Sequence, residues 1–263
     1  MNQAKRAFAV AAHPDDVEFL MSGTLMRLGH AGYDLHIMTI ANGSCGSMEL
    51  GPEEIARRRT KEARTAARAI GAVYHDPLVN DIEIFYEHSL LARVAAIMRE
   101  VAPQILLVPS PRDYMEDHQN AARLAVTAAF TRGMPNFRTE PPRPVVDQPV
   151  TVYHAQPYGN RDPLRNRVVP ELFVDVTDLM DEKRAMLAHH ASQKRWLDET
   201  QGIGSYLDAM AEICHEIGEM SGRFSYAEGW RRRLHYGFCA EDADPLTDAL
   251  PDHTWYRLPS TAL

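Results

Sequence analysis

Cysteine is scarce in this sequence. Cys45, Cys214 and Cys239 are spread over 263 residues, and three widely spaced cysteines exclude the disulfide framework that stabilises many small secreted domains. The chain must therefore be stabilised by a hydrophobic core, for which its 45% apolar residues are sufficient. This use of cysteine is typical of a cytoplasmic protein.

Long apolar runs and an excess of positive charge are also missing. No apolar stretch approaches the roughly 20 residues of a membrane-spanning helix, and we expect no secretory signal, because no basic and apolar segment opens the chain. Lysine and arginine number 28 against 36 aspartates and glutamates, which gives a net charge of −8. That balance argues against nucleic acid or an anionic membrane as a partner, and we expect a small-molecule substrate.

Internal repeats and low-complexity segments are absent from the sequence. We therefore expect one domain over residues 1–263, with an irregular, proline-containing tail from about residue 230. Such a tail lies largely outside the core of its own chain. We expect it to pack on a neighbouring subunit, and hence we expect a homo-oligomer.

The apolar pattern predicts an alternation of strands and helices. Strands are predicted at residues 8–12, 34–40, 72–75, 104–108, 150–156 and 172–176. Helices are predicted at residues 19–28, 52–70, 88–101, 119–130, 178–191 and 196–220. Four successive strand-helix units predict an α/β fold, Rossmann-like, with an open, mostly parallel sheet and helices on both faces.

The most informative stretch follows the first predicted strand. His13, Pro14, Asp15 and Asp16 stand where that strand ends, because proline is excluded from a central strand and disfavours helix in the residue before it. Ligands of open α/β sheets bind at this edge. A plain turn, in which Asp16 caps the following helix, explains the same residues about as well.

Imidazole and carboxylate side chains are zinc ligands, and a catalytic zinc keeps one position open for water. A carboxylate outside the ligand set can take the proton of that water. Two further candidates, Asp81 and His118, follow the third and fourth predicted strands, so they are expected at the same edge of the sheet. The loop at residues 42–47 follows the second strand, and it either borders the site or is a plain connector.

Several motifs resemble those of a known family. Ala12 to Asp16, the acidic Glu18 and the Gly23-Thr24-Leu25 segment resemble the opening motif of the PIG-L/LmbE-like zinc N-deacetylases. Further matches follow in the family's order: Arg59 to Ala63, Asp81, Asp117-His118, and Tyr226 to Trp230. The chain departs from the family at Met115 and Glu116, where the His-Pro-Asp-His motif has its first histidine and its proline.

The resemblance implies a Rossmann-like fold and a zinc-dependent hydrolase of N-acyl groups, acting most naturally on an N-acetyl amino sugar or glycoside. It implies one zinc ion per chain, with His13, Asp16 and His118 as its ligands. Asp15 would be the general base.

The resemblance also implies roles for the remaining site residues. Arg59 and Asp81 would bind substrate hydroxyls or an anionic group, and Asp117 would orient a site histidine. Met115 cannot donate the proton that the family histidine could give to the departing amine. His154, which follows an apolar strand, is a candidate substitute, although a purely structural hydrogen-bonding role fits it as well.

Two other interpretations remain open. A flavodoxin-like or dinucleotide-binding module would carry a glycine-rich turn after the first strand, where this chain has His13 to Asp16. The second interpretation is a metal-binding relative that has lost catalysis, because Met115 stands where the family has a histidine.

Overall fold

The computed structural model describes residues 4–194 and 206–257, which are organised around one sheet. The eight strands are β1 Arg6–Ala11, β2 Asp34–Thr39, β3 Val73–His75, β4 Ile105–Val108, β5 Thr151–Ala155, β6 Leu172–Asp175, β7 Ala227–Arg232 and β8 Thr254–Tyr256. Their spatial order is β3-β2-β1-β4-β5-β7-β6-β8. The strands β1 to β5 pair in parallel, whereas β7 is antiparallel to β5 and β6, and β8 is antiparallel to β6. The predicted mostly parallel α/β sheet is confirmed.

Helices cover both faces of this sheet. They are α1 Asp16–Leu20, α2 Ser22–His30, α3 Pro52–Ala69, α4 His88–Val101, α5 Glu116–Thr131, α6 Met180–Leu187, α7 Tyr206–Ser221 and α8 Pro245–Ala249. One apolar cluster joins alternate residues of β1 to α1, α2, α3, α6 and α7, and the other joins the intervening residues to α4 and α5. Continuous apolar strands such as β4 suit a sheet that is buried on both sides.

The first predicted helix is in fact two. Met21, with φ −138°, separates α1 from α2. The break is stabilised by Glu228 of β7, whose carboxylate accepts from Gly23 N at 2.8 Å and Thr24 N at 2.7 Å. These amides belong to the first turn of α2, which has no helical carbonyl partner for them. A distant strand therefore determines where α2 begins.

The C-terminal part of the chain is more regular than expected. Strand β7 extends into the segment predicted to be irregular, and β8 pairs with β6 at the edge of the sheet. Asp244 accepts hydrogen bonds from Tyr153 Oη and Tyr256 Oη, both at 2.5 Å. The described part of the tail therefore packs on the chain's own sheet. The homo-oligomer and the single-domain organisation of residues 1–263 remain predictions.

Within the described ranges, no helix combines the length and the hydropathy needed to cross a membrane. The helix predicted at residues 196–220 corresponds to α7 from Tyr206 onward, while residues 196–205 of that prediction lie outside the described residues. Cys45, Cys214 and Cys239 are free thiols, as expected.

A buried ion pair connects three elements of the fold. Lys183 of α6 is fully buried, and its Nζ donates to Glu228 Oε1 at 2.5 Å. The same ammonium donates to Glu18 O and to Ser22 Oγ, both at 3.0 Å. Glu228 also holds the two amides of α2, so every strong polar group of this cluster is paired. Satisfied networks of this kind are stable, whereas a half-satisfied one is costly.

Replacement of Glu228 by glutamine is expected to lower the free energy of unfolding by about 3–5 kcal/mol, because it leaves the buried Lys183 ammonium without a counter-charge. Urea denaturation measures the loss. The exposed Glu219→Gln variant is the matched control and is expected to change stability by less than about 0.5 kcal/mol. Adding Lys183→Met to Glu228→Gln is expected to restore stability; equal stability of Glu228→Gln and wild type would contradict this interpretation of the pair.

Two histidines pair on neighbouring strands near the sheet edge. His36 Nδ1 lies 3.0 Å from His75 Nε2, and the two rings stack with centroids 5.3 Å apart. Burial, together with the proximity of His75 and Arg6, lowers the pKa of His36 to about 4. Burial also lowers the pKa of His75. The folded state therefore favours neutral imidazoles at this position.

This pair makes folding stability depend on pH. A histidine whose pKa is depressed in the folded state binds its proton more readily in the unfolded state. Its contribution to the free energy of unfolding is therefore fully present above about pH 6.5 and is lost as the pH falls toward about 4. We expect His36→Gln to make the free energy of unfolding depend less steeply on pH between about pH 4 and 6.5. Denaturation at a series of pH values measures this dependence. The exposed His30→Gln variant should keep the wild-type slope.

Candidate metal centre and active-site pocket

A pocket of about 360 Å³ opens at the carboxyl ends of β1 to β4. Its polar side carries His13, Asp15, Asp16 and His118, and loop residues Cys45 and Gly46 form part of its wall. The loop at residues 42–47 thus borders the site and is more than a connector. The predicted location at the strand ends is the one expected of an open α/β sheet.

Three side chains converge as a candidate metal centre. His13, Asp16 and His118 each offer a ligand atom, and these atoms lie within 4.8 Å of one another. His13 Nδ1 lies 3.6 Å from Asp16 Oδ2, and His118 Nε2 lies 3.5 Å from Asp16 Oδ1. Helix α5 begins at Glu116, three residues earlier than expected, and this places His118 in its first turn.

Each histidine of the cluster contacts its own carboxylate. His13 Nε2 donates to Asp117 Oδ2 at 2.9 Å, and His118 Nδ1 donates to Asp113 Oδ1 at 2.8 Å. The opposite nitrogen of each ring is thereby left to face Asp16. Carboxylates that hold the second nitrogen are typical partners of metal-ligating histidines. Asp117 contacts His13 in the structure, and its role in orienting a site histidine remains a prediction.

The donor set fits a zinc ion. Two imidazole nitrogens and one carboxylate oxygen leave a fourth position of a tetrahedral shell for water or substrate. Burial acts to lower the pKa of His13, but hydrogen bonds with Asp117 and Asp16 outweigh it and raise that pKa to about 10. Burial would raise the pKa of Asp16, and the adjacent His118 and His13 lower it instead. Metal binding to these residues displaces protons from the cluster.

Asp15 lies beside the three candidate ligands and takes a different orientation. Its φ of 107° directs the carboxylate toward Tyr206, whose Oη donates to Oδ2 at 2.5 Å, and toward Arg59 Nη2, 3.5 Å from Oδ1. Burial is the main cause that raises the pKa of this carboxyl to about 6. Asp15 is therefore a carboxylate outside the ligand cluster, held in the same pocket.

Arg59 and Asp81 line the pocket, but their polar atoms are largely engaged by the protein. Asp81 accepts from Gly43 N at 2.6 Å and from Cys45 N at 3.0 Å, so each carboxylate oxygen holds a loop amide. Arg59 Nη2 donates to Pro14 O at 2.6 Å. Both side chains thus support the walls of the pocket, and direct substrate contact by them stays a prediction.

The loop that contacts Asp81 fits closely over Arg59. A Cβ atom on Gly43, which has φ +82°, would lie 2.5 Å from Arg59 Cδ, and one on Gly46 would lie 2.6 Å from Arg59 Nη1. At Gly43 the positive φ also favours glycine. A side chain at Gly46 would displace the ends of the Arg59 and Gln193 side chains.

His154 is placed away from the pocket described here. Its Nδ1 donates to Pro109 O at 2.9 Å, and its Nε2 lies 3.4 Å from Arg233 Nη1. Burial, with a smaller effect of Arg233, lowers its pKa to about 4. The expected approach of His154 to the site is not seen, because the side chain turns to the sheet face that carries α4 and α5, where its neighbours Val150 and Val152 also pack.

The pocket or supporting residues that were not identified from the sequence include Asp113, Tyr206, Ile82 and Gln193. Asp113 carries a weak signal, since it precedes His118 by five residues in a loop that follows a strand. Tyr206 has none, because it reaches Asp15 across 191 positions of sequence. Gln193 is buried in the pocket wall, and its Oε1 has no hydrogen-bond partner in the structure as described. It is a candidate acceptor for a ligand hydroxyl.

Comparison with known proteins supports the resemblance seen in the sequence. Residues 8–129 match the model of the PIG-L family, described as GlcNAc-PI de-N-acetylase. The chain is 28% identical to the diacetylchitobiose deacetylase of Thermococcus kodakarensis over 246 residues, which cover 88% of this chain and 84% of that protein.

Two further similarities show the breadth of the relatives. The 4-oxalmesaconate hydratase of Pseudomonas putida is 26% identical over 234 residues, covering 86% of this chain and 88% of that one. The solved structure of N,N'-diacetylchitobiose deacetylase from Pyrococcus horikoshii superposes with a TM-score of 0.69 at 24% identity, covering 88% of this chain and 84% of that chain. The last similarity is one of fold.

The carboxylate behind His118 gives a test of the metal centre. Asp113→Asn is expected to weaken zinc affinity about 10–100-fold, because it removes the charged partner that fixes the ring of His118. Competition with a chelating dye measures the affinity. His154→Ala, which removes a buried histidine outside the cluster, should bind zinc as wild type does. Unchanged affinity in both Asp113→Asn and His118→Ala would rule out this ligand set.

Proposed function

We propose, from the premise that this chain belongs to the PIG-L/LmbE-like family, that it is a metal-dependent hydrolase that removes an N-acyl group, above all N-acetyl, from an amino sugar or glycoconjugate. The observation that carries the proposal is the position of Asp15, a buried carboxylate that stands next to a His-Asp-His donor set without belonging to it. Zinc on that set, one ion per chain, would polarise the amide carbonyl and lower the pKa of a water molecule.

Asp15 is the proposed acid and base. It accepts a proton from the attacking water as the oxygen–carbon bond forms, and it returns this proton to nitrogen as the carbon–nitrogen bond breaks. The hydrogen bond from Tyr206 and the adjacent guanidinium of Arg59 hold the carboxylate in one orientation. Met115 lines the pocket at the position of the family histidine and has no proton to give. With His154 outside the pocket, Asp15 is the group we propose for both transfers.

The charge of the pocket supports a neutral substrate. Asp15, Asp16 and Asp81 face one guanidinium, that of Arg59, among the described pocket residues. A divalent cation on the donor set would bring the net charge of these groups close to zero. The unpaired Oε1 of Gln193 can accept a hydrogen bond from a hydroxyl group. An N-acetylated sugar combines neutrality with hydroxyl donors.

A hydratase is the second candidate, because one relative of similar coverage carries that name. Its substrate is named as a carboxylate, for which a site commonly supplies arginine or lysine. The described pocket offers Arg59 alone, and this guanidinium is already engaged by Pro14 O and Asp15. The charge balance therefore favours the deacetylase. A metal-binding protein without turnover is the remaining alternative.

Assays on the zinc-loaded protein discriminate among these functions. We expect acetate release from a panel that contains N-acetylglucosamine, its glycosides and diacetylchitobiose. A parallel assay follows water addition to an unsaturated hydroxy-carboxylate. Hydration without acetate release would replace the deacetylase by the hydratase, and the absence of both reactions with metal bound would indicate a non-catalytic relative.

Asp15→Asn is expected to keep the metal and to lower kcat by about 10²–10⁴-fold, because an amide of the same shape cannot accept the proton of water. Acetate release and metal content are measured on the same samples. The exposed Asp147→Asn variant is the control and should retain wild-type kcat. Full activity of metal-loaded Asp15→Asn would remove this residue from the mechanism.

A further inference from the structure

Ile82 occupies a backbone conformation that isoleucine rarely adopts. Its φ is +63°, in the left-handed region, which is strongly disfavoured for a β-branched residue. The backbone at this position is useful, because Ile82 N donates to Asp117 Oδ2 at 2.7 Å. Asp117 is the carboxylate that contacts His13. The strained turn therefore supports the candidate metal centre.

That backbone role does not require an isoleucine. Glycine adopts the left-handed conformation without strain and would donate the same N–H. Strained residues that persist in a fold cluster at functional sites. The isoleucine side chain is 58% exposed and lines the pocket, so its packing within the chain is slight. The strained position therefore keeps an apolar side chain in the lining of the pocket.

Other apolar groups line the same pocket. Tyr114 is 63% exposed and lines the pocket, with its ring 5.5 Å from that of His118. Met115, which follows it, stands where the family has an imidazole. Leu20 and Phe19 add further apolar surface to the lining. The candidate metal ligands and Asp15 line the same pocket and supply its polar groups.

We propose that Ile82, with Tyr114 and Met115, binds an apolar group that the substrate carries beside its N-acylated sugar. This inference rests on the proposed function and adds a substrate class to it. The same chemistry can come from an aromatic or aliphatic aglycone or from an acyl chain longer than acetyl. Burial of such a group against these side chains removes apolar surface of both partners from water.

Binding measurements separate this inference from the reaction. Zinc-loaded Asp15→Asn protein, in which turnover is suppressed, is titrated by calorimetry with three probes: N-acetylglucosamine, its phenyl glycoside and N-hexanoylglucosamine. We expect at least one extended probe to bind about 10-fold or more tightly than the small sugar. A gain for the phenyl glycoside identifies the aglycone as the source, and a gain for the hexanoyl sugar identifies the acyl chain.

Addition of Ile82→Gly is expected to abolish most of that gain in affinity. Ile82→Asn replaces the apolar side chain by a polar one that tolerates the left-handed conformation, and it should act in the same way. Arg165→Gly is the matched control, since Arg165 has φ +69° and is exposed outside the pocket lining. Both glycine variants should raise the thermal midpoint by relief of strain, but Arg165→Gly should leave the gain intact.

The inference would be overturned by equal dissociation constants for the three probes. It would also be overturned if an extended probe still bound more tightly than the small sugar in both Ile82 variants. Failure of the proposed function has a different signature, which is the absence of acetate release by the zinc-loaded wild-type protein from the whole panel. The two outcomes are read from separate experiments. A loss of the gain with a raised thermal midpoint also excludes misfolding of Ile82→Gly as the cause.

Discussion

The ion pair between Lys183 and Glu228 is the interaction on which the rest of the arrangement depends. It joins helix α6 to strand β7 inside the core, and the same carboxylate holds the first amides of α2. The ammonium also holds Glu18 O, at the turn between α1 and α2. Because α1 begins at Asp16, this cluster determines the position of the first motif. The polar atoms of the core thus orient the site, while the apolar atoms supply the stability.

Around the pocket, the protein orients each reactive group through a second one. Carboxylates hold the rear nitrogens of His13 and His118, and Tyr206 holds Asp15. Asp81 holds the loop that covers Arg59. Preorganised groups of this kind need not reorient when charge develops during a reaction. The geometry is consistent with hydrolysis and limits the mobility of the Asp15 carboxylate.

The parallel core could be predicted from the sequence because buried strands give local signals, whereas the three candidate ligands were expected from the resemblance of short motifs to a known family. Apolar runs identify buried strands such as β4, and the bounds of α4 agree with the prediction. Strand β7 was missed, since a buried glutamate at its second residue conceals the apolar pattern until Lys183 is known to neutralise it. His154 was expected at the site because it lies near the end of a strand. The direction of its side chain depends on packing within the sheet, which the position in the sequence does not reveal. Tyr206 approaches Asp15 through tertiary folding alone.

The bond between Glu228 and Gly23 spans 205 positions of sequence. A ribosome that has released the first motif must therefore add most of the remaining chain before α2 receives its partner. Until then the amides of α2 and the ammonium of Lys183 stay in water, and the segments that carry Asp15 and Asp16 have no fixed orientation. The order of synthesis thus separates the appearance of the first motif from its assembly into the pocket, which is complete only when one of the last strands enters the sheet.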